Sequence, residues 1–256
     1  FEAAQLLRVS NSTIRKVKIV RRSIDARKKP DVKYNYTIDV QVSGNEEKIL
    51  RNSRCKKASI APWTGYKVKP IKNLNAKRPV VIGFGPAGMF CALLLCEAGF
   101  APIIVERGDD VDERAAAVER FYRTRVLDTD SNIQFGAGGA GTFSDGKLVT
   151  RINDKKCRYV IEAYHRHGAP SSILTSAKPH IGTDNLGKIV TSVKDTIEQY
   201  GGQVLFDTRF EGYTNTADGI RVDTSKGQLV GSSLVLATGH SSRDTYEKLA
   251  EKGGYE

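Results

Sequence analysis

The stretch VVIGFGPAGM at residues 80–89 constrains this chain of 256 residues more than any other. A short apolar run, Pro79-Val80-Val81-Ile82, enters a turn with glycines at 83, 85 and 88, and a segment apolar nearly all round, Pro86–Gly99, follows it. A second apolar run, Pro102-Ile103-Ile104-Val105, ends at Glu106. Continuous apolar runs mark strands buried on both faces, and a helix without a polar side packs against such a sheet. The order reads as a βαβ unit of about thirty residues, the context in which G-x-G-x-x-G signals a dinucleotide site. There, Gly83 permits the tight turn, Gly85 keeps a side chain out of the way of a pyrophosphate, and Gly88 allows close helix–strand packing. Pro86 and Ala87 open the helix, where the missing proline N–H costs little and the free N–H groups attract an anion. Glu106, eighteen residues past Gly88, is placed to accept hydrogen bonds from a ribose. An acid there disfavours a 2′-phosphate, so FAD or NAD is expected over NADP.

A second formal G-x-G-x-x-G lies at Gly136, Gly138 and Gly141, within QFGAGGAGTFSDGKL. The residues before it, Asp130–Phe135, are too polar for a central strand. Thr142-Phe143-Ser144-Asp145-Gly146 after it opposes an amphipathic helix, and no strand ending in an acid follows at the required distance. It is therefore not expected to be a second Rossmann unit. A loop rich in glycine can still cradle phosphate with its backbone amides or lie against a flat ring.

The charge divides the chain. Residues 1–78 hold 20 Lys and Arg against 6 Asp and Glu; residues 79–256 hold 20 against 23. In the basic segment, Val32–Val42 alternates apolar and polar residues, the period of a half-buried strand. A shorter alternation at Val17–Val20 precedes it, with the basic stretch Arg21–Pro30 as the connection. A helix around Asn45–Arg51 and a strand around Tyr66–Val68 complete a small α+β, ferredoxin-like unit, and Lys69–Lys77 reads as a linker. This places a basic domain at 1–77 and an α/β domain at 78–256. In the latter, Asn185–Tyr200 has helical periodicity and is stopped by Gly201-Gly202. Strands around Gln203–Phe206, Arg209–Thr214, Ile220–Thr224 and Gln228–Val230 suggest an antiparallel meander, and Leu234–Ala237 reads as a buried strand running into Thr238-Gly239.

GFGPAG, Glu106-Arg107-Gly108 and Leu236-Ala237-Thr238-Gly239 resemble the signatures of the glutathione-reductase-type FAD-binding fold. RRSIDARKK, QFGAGGAGTFSDGKL, KPHIGTD and VLATGHSSRDTYE resemble, more narrowly, the bacterial and plastid family of uncharacterised FAD-dependent dehydrogenases, which carries a small basic domain before its flavin domain. The resemblance covers nearly the whole chain. It implies a Rossmann-like FAD-binding domain and an oxidoreductase of unstated substrate, with NAD(P)H as a candidate donor. It further implies that Gly138, Gly139, Ala140, Gly141 and Thr142 pass along the pyrophosphate and isoalloxazine. By the same resemblance, Arg107 and Ala237-Thr238-Gly239 lie near the nucleotide and the Phe210 backbone meets the adenine. Disulfide reductases of this fold place a cysteine pair after the glycine loop; here Thr142, Phe143, Ser144 and Asp145 fill those positions, so no dithiol relay is expected. The family's fold normally closes with a Gly-Asp pair and a helix. Only 17 residues follow Gly239, so the resemblance implies a fragment.

Ser144, Asp145, Lys147 and His180 are the side chains that could supply acid–base chemistry, although a structural histidine is the plainer reading of His180. Lys178 and Arg151 could meet an acidic substrate, with solvated surface charge as the plainer reading. Cys55, Cys91, Cys96 and Cys157 lack the spacing of a zinc site or redox pair, and His165 and His167, two apart in a helix, face different sides; no metal is expected. No apolar run approaches the length of a membrane span, and a cytoplasmic protein is the default reading, while a first residue of Phe1 rather than Met leaves room for a leader removed upstream. The competing reading is a nucleic-acid-associated flavoprotein or binding module, since Tyr34, Tyr36, Trp63 and Tyr66 interleave with basic residues. Against it, Tyr34 and Tyr36 fall on the apolar side of their strand, where core packing is expected to claim them.

Overall fold

A computed structural model describes residues 2–61, 66–71, 78–152, 154 and 156–251. In chain order these form α1 (Glu2–Leu7), β1 (Ile14–Asp25), β2 (Lys33–Val42), α2 (Glu46–Ser53), β3 (Val80–Ile82), α3 (Pro86–Glu97), β4 (Ile103–Val105) and α4 (Val111–Thr124). Then come α5 (Lys156–Arg166), α6 (Thr183–Gln199), β5 (Gln203–Leu205), β6 (Phe210–Thr216), β7 (Gly219–Thr224), β8 (Gly227–Gly231), β9 (Leu234–Leu236) and α7 (Arg243–Glu251). The chain divides into two compact units: residues 1–66, 148–165 and 170–180 make the first, and residues 67–147, 166–169 and 181–256 the second. The first unit thus gains two segments that the sequence boundary at 77/78 assigns to the α/β domain.

In the first unit, β1 and β2 pair antiparallel, with Ile24 opposite Tyr34, Ile19 opposite Ile38 and Val17 opposite Val40. The basic residues Arg21 and Arg22, expected in the connection, lie inside β1 and pair with Thr37 and Tyr36. An exposed ribbon carries such a run at little cost, because both charges remain solvated. Irregular register after Ile14 and after Ile19 keeps the apolar residues on one face. That face is not a core. Tyr34 is 58% and Tyr36 51% exposed, which corrects the expectation that packing would claim them; alternation reports that a strand has two unlike faces, not that a second layer covers one. The βαββαβ order of a ferredoxin-like unit is not seen among the first unit's described residues. Among its described residues there are two long strands, and Tyr66–Val68 is not a strand. Trp63 and most of the expected linker lie outside the described residues.

The second unit is mixed α/β. Its central sheet has the order β5-β4-β3-β9, all parallel. β6-β7-β8 form a separate antiparallel sheet. The first strand of the expected meander, β5, belongs instead to the parallel sheet, because α6 delivers it there as the second crossover of the βαβ pattern. Val80, Ile82, Ile103 and Val105 pack with Phe210 and Val222 of the antiparallel sheet and Leu249 of α7. Val81 and Ile104, both 0% exposed, alternate to the opposite face, on the side of α3 and α6. The β9 strand runs beside β3 as expected, but at the sheet edge it is only half-buried. Arg78 ties the underside of the sheet together, donating to the carbonyls of Pro102 and Gly201.

Candidate functional site

Two glycine-rich loops meet above the parallel sheet, within the second unit. The first leaves β3 at Gly83, whose φ of +100° is the left-handed conformation that glycine adopts freely. A Cβ there would lie 2.5 Å from the Ala237 carbonyl oxygen, and one on Gly88 would collide with the Gly83 carbonyl. Both glycines are therefore demanded by packing. Gly85 differs: its φ of −78° is ordinary, and a Cβ would meet nothing closer than the Gly139 Cα at 3.7 Å. Pro86 occupies the first turn of α3, and Pro86 and Ala87 are exposed, which leaves that end of the helix open to solvent.

The second loop has no strand before it and continues into a single 3-10 turn, Gly139–Phe143. The expectation that it is not a Rossmann turn agrees with this geometry. Gly136, Gly138 and Gly139 all have positive φ, and a Cβ would strike Arg114 at the first and Thr142 at the second. Gly141, like Gly85, is not forced: its Cβ would meet only Pro86, at 3.8 Å. The loops are joined by the Gly138 N–H donating to the Phe84 carbonyl at 2.9 Å, and a Cβ on Gly139 would lie 3.0 Å from the Gly85 Cα.

Arg114, unnoticed in the sequence, shapes this second loop. It is 0% exposed and donates Nε to the Asn132 carbonyl at 2.9 Å, Nη1 to Ala137 at 2.6 Å and Nη2 to Ile133 at 2.9 Å. Its guanidinium also lies 4.8 Å from the centre of the Phe143 ring. Burial pushes its pKa down to about 10, opposed by the charge of Glu106. A signal for it exists in the sequence: Arg114 falls i−3 and i−4 from Ala117 and Val118, on the buried stripe of α4.

Glu106 is 5% exposed and accepts three backbone N–H bonds, from Phe84 at 2.7 Å on Oε2 and from Gly108 at 3.0 Å and Gly136 at 2.9 Å on Oε1. One carboxylate thus pins β4 to both glycine loops. An ionised carboxylate has about four acceptor sites, so about one remains, on Oε2.

A small cavity opens at the carboxyl ends of β3 and β4, the side on which open α/β sheets bind ligands. Glu106, Arg107, Phe135, Thr208, Phe210 and Thr238 are among its walls, with Ser242 and Thr245 from the start of α7. Arg107 lies over the Phe135 ring, 4.4 Å from its centre, and pairs with Asp244 at 2.7 Å. Burial works to raise the Asp244 carboxyl, but the hydrogen bond and charge of Arg107 outweigh it and hold it below the usual carboxylate range. Ser242 donates to the Thr238 and Gly239 carbonyls, fixing the turn after β9. Phe135, Ser242 and Thr245 fall inside the strings QFGAGGAGTFSDGKL and VLATGHSSRDTYE without being singled out there, Thr208 lies in neither, and only the folded chain brings the four to one cavity.

The structure thus gathers Gly83, Gly85, Pro86, Gly88, Glu106, Arg107, the 138–142 loop, Phe210 and Ala237–Gly239 within one unit. The acid–base candidates do not form a constellation. Ser144 Oγ donates to the Gly141 carbonyl and accepts from the Gly146 N–H, a turn-forming use of the hydroxyl. Lys147 pairs with Asp145 at 2.6 Å on the surface, which raises the lysine pKa through the hydrogen bond and charge. His180, Lys178 and Arg151 are exposed and belong to the first unit. Burial pushes the thiols of Cys91 and Cys96 up, the latter to about 11 with help from Glu97. No cluster of metal-binding side chains and no helix long and apolar enough to cross a membrane occurs among the described residues.

A family model described as a domain of unknown function, DUF8436, matches residues 2–41. A Clostridium beijerinckii protein described as uncharacterized is 42% identical over 247 residues, 95% of this chain and 46% of its own length. The chain therefore spans about half the length of that relative. Among solved structures, thioredoxin reductase of Lactococcus lactis is 15% identical with a TM-score of 0.36, covering 64% of this chain and 35% of that one. Glycine oxidase of Geobacillus kaustophilus is 13% identical with a TM-score of 0.37, covering 68% and 58%. At these TM-scores no residue role passes from either protein to this chain.

Proposed function

We propose that the second unit binds FAD and serves an oxidoreductase whose electron step is carried by the flavin without a dithiol relay. The observation that carries this reading is the unforced pair of glycines. Packing and backbone conformation account for Gly83, Gly88, Gly136, Gly138 and Gly139, but not for Gly85 or Gly141. These two flank Pro86 at the open end of α3, where backbone N–H groups and the helix dipole favour a phosphate. Glycine there leaves room for a pyrophosphate to reach the amides.

In this reading Glu106 takes one ribose hydroxyl on its remaining acceptor site, while its three backbone bonds hold the carboxylate in place. Arg107, Phe135 and Phe210 wall the space for the adenosine end. Arg114 holds the 132–137 loop so that Gly138–Thr142 stays against Gly85. When bound, the flavin would supply the redox chemistry. Ser144 shapes its turn, and the Asp145–Lys147 pair at the surface keeps Lys147 protonated; neither is set up as a general base. With Thr142–Asp145 in place of cysteines and Cys96 held as a neutral thiol, thiol–disulfide exchange has no nucleophile near the loop.

The test is the visible spectrum of the purified protein, identification of the nucleotide released on denaturation, and anaerobic reduction with NADH and NADPH separately. Stoichiometric FAD reduced by one of the two is the expected result. Binding of FMN in preference to FAD would overturn the assignment, because the Glu106 and Arg107 contacts need the adenosine half.

A further inference from the structure

We propose that the β1–β2 ribbon of the first unit is a docking surface for single-stranded RNA. Over residues 14–42 the chain holds nine Lys and Arg against three Asp and Glu. Arg27 is tied to Asp25 and Lys33 to Asp31. Arg15, Lys16, Lys18, Arg21, Lys28 and Lys29 have no ion-pair partner among the described residues and stand exposed along the ribbon and at its tip. A cation without a protein partner neither stabilises the fold nor fills the core, so nothing among the unit's described residues calls for this concentration of charge.

The second observation is what the other face presents. Tyr34 and Tyr36 project side by side from β2, ring centres 6.2 Å apart, each more than half exposed. Arg22, on the neighbouring strand opposite Tyr36, lies with its guanidinium 5.4 Å from the Tyr34 ring centre. Exposed tyrosine rings and the flat guanidinium laid over one of them are surfaces on which unpaired bases stack. Val17 and Ile19 extend the same face as exposed apolar floor. A two-stranded ribbon is narrow, with about 5 Å between strands. Lysines and arginines rooted on its polar face therefore reach phosphates of a strand lying over the tyrosines. The cations match the backbone charge and the rings match the bases, whereas an apolar protein partner would cover the apolar residues but leave the cations unpaired. RNA loops and ends are where unstacked bases are ordinarily offered, which favours RNA over duplex DNA.

The experiment is fluorescence anisotropy of a labelled oligouridylate of about 12 nucleotides titrated with the whole chain, against the Tyr34→Ala/Tyr36→Ala and Tyr34→Phe/Tyr36→Phe variants. Because these positions are exposed, each variant is first shown to melt with the wild type. The wild type should bind with the salt dependence of about three neutralised phosphates, losing roughly 20-fold in affinity between about 50 and 200 mM salt. The double alanine variant should lose about tenfold or more, and the double phenylalanine variant should keep most of the affinity, since stacking needs the ring and not the hydroxyl. Equal binding by the alanine variant, or equal competition by polyphosphate of the same charge, would overturn the proposal by reducing the surface to bare electrostatics. So would a concentration-dependent dimer that buries Tyr34 and Tyr36, which would make a second copy the occupant. None of these outcomes depends on flavin.

Discussion

The two glycine-rich loops have the same formal spacing but are forced to glycine at different positions within it. In the first, packing demands glycine at both ends of the motif, at Gly83 and Gly88, and leaves the middle one, Gly85, unexplained by the protein itself. In the second, the forced positions are Gly136, Gly138 and Gly139, each in a left-handed conformation, and the spare one is Gly141. A pattern of glycines therefore does not report one structure. The informative positions are the glycines left unexplained after the protein's own contacts have been counted, one in each loop. The two spare positions lie together at the start of α3, and the proposed FAD site rests on that coincidence.

The largest effect should come from Gly88→Val, which drives a side chain into the Gly83 carbonyl at the helix–strand contact. A loss of about 3 kcal/mol or more, or failure to fold, is expected in chemical denaturation. Arg114→Met comes next. It strands the carbonyls of Asn132, Ile133 and Ala137, each costing about 1–3 kcal/mol, offset in part because a charge that is expensive to bury goes with it. A net loss of about 2–4 kcal/mol should appear, with looser nucleotide binding since the second loop loses its anchor; unchanged binding in a folded variant would show that this loop plays no part in the site.

How far the sequence discloses this comparison is instructive. Gly83, Gly85, Gly88, β3 and β4 are readable because short apolar runs around a glycine turn have few other interpretations. The 136–141 loop can be rejected as a Rossmann turn from its polar approach alone. Arg114 is hidden because a charged residue on a buried stripe looks like an irregularity until the three carbonyls it serves are brought to it from some twenty residues away. Tyr34 and Tyr36 mislead for the opposite reason: periodicity states which residues share a face, while cover for that face comes from elements far along the chain. The same gap explains β5, whose sequence fits either sheet and whose partner is fixed by where α6 ends.

Gly141→Ala is a finer probe of the spare positions. Stability should stay within about 0.5 kcal/mol, with FAD affinity reduced by about tenfold as the new methyl crowds the amides. The smallest effect concerns thiols on α3, the helix that the first loop begins. With its pKa raised from 9.0 to about 11, Cys96 at pH 8 should react with an alkylating reagent about 100-fold more slowly in the native protein than in urea. Since the folded value lies above the unfolded one, the stability linked to this thiol is complete below pH 9 and is lost as pH rises toward 11. Rapid labelling of Cys96 at pH 8 would reopen a thiol role in turnover.

The most direct measurement sets Gly85→Val beside the wild type in two assays, FAD titration and thermal unfolding without ligand. If Gly85 is glycine for the sake of a pyrophosphate, the variant melts within a few degrees of the wild type and loses FAD binding by two orders of magnitude or more, about 2.7 kcal/mol. A folded variant that keeps stoichiometric FAD would contradict the assignment, and one that unfolds without ligand would show that the fold itself needs this glycine.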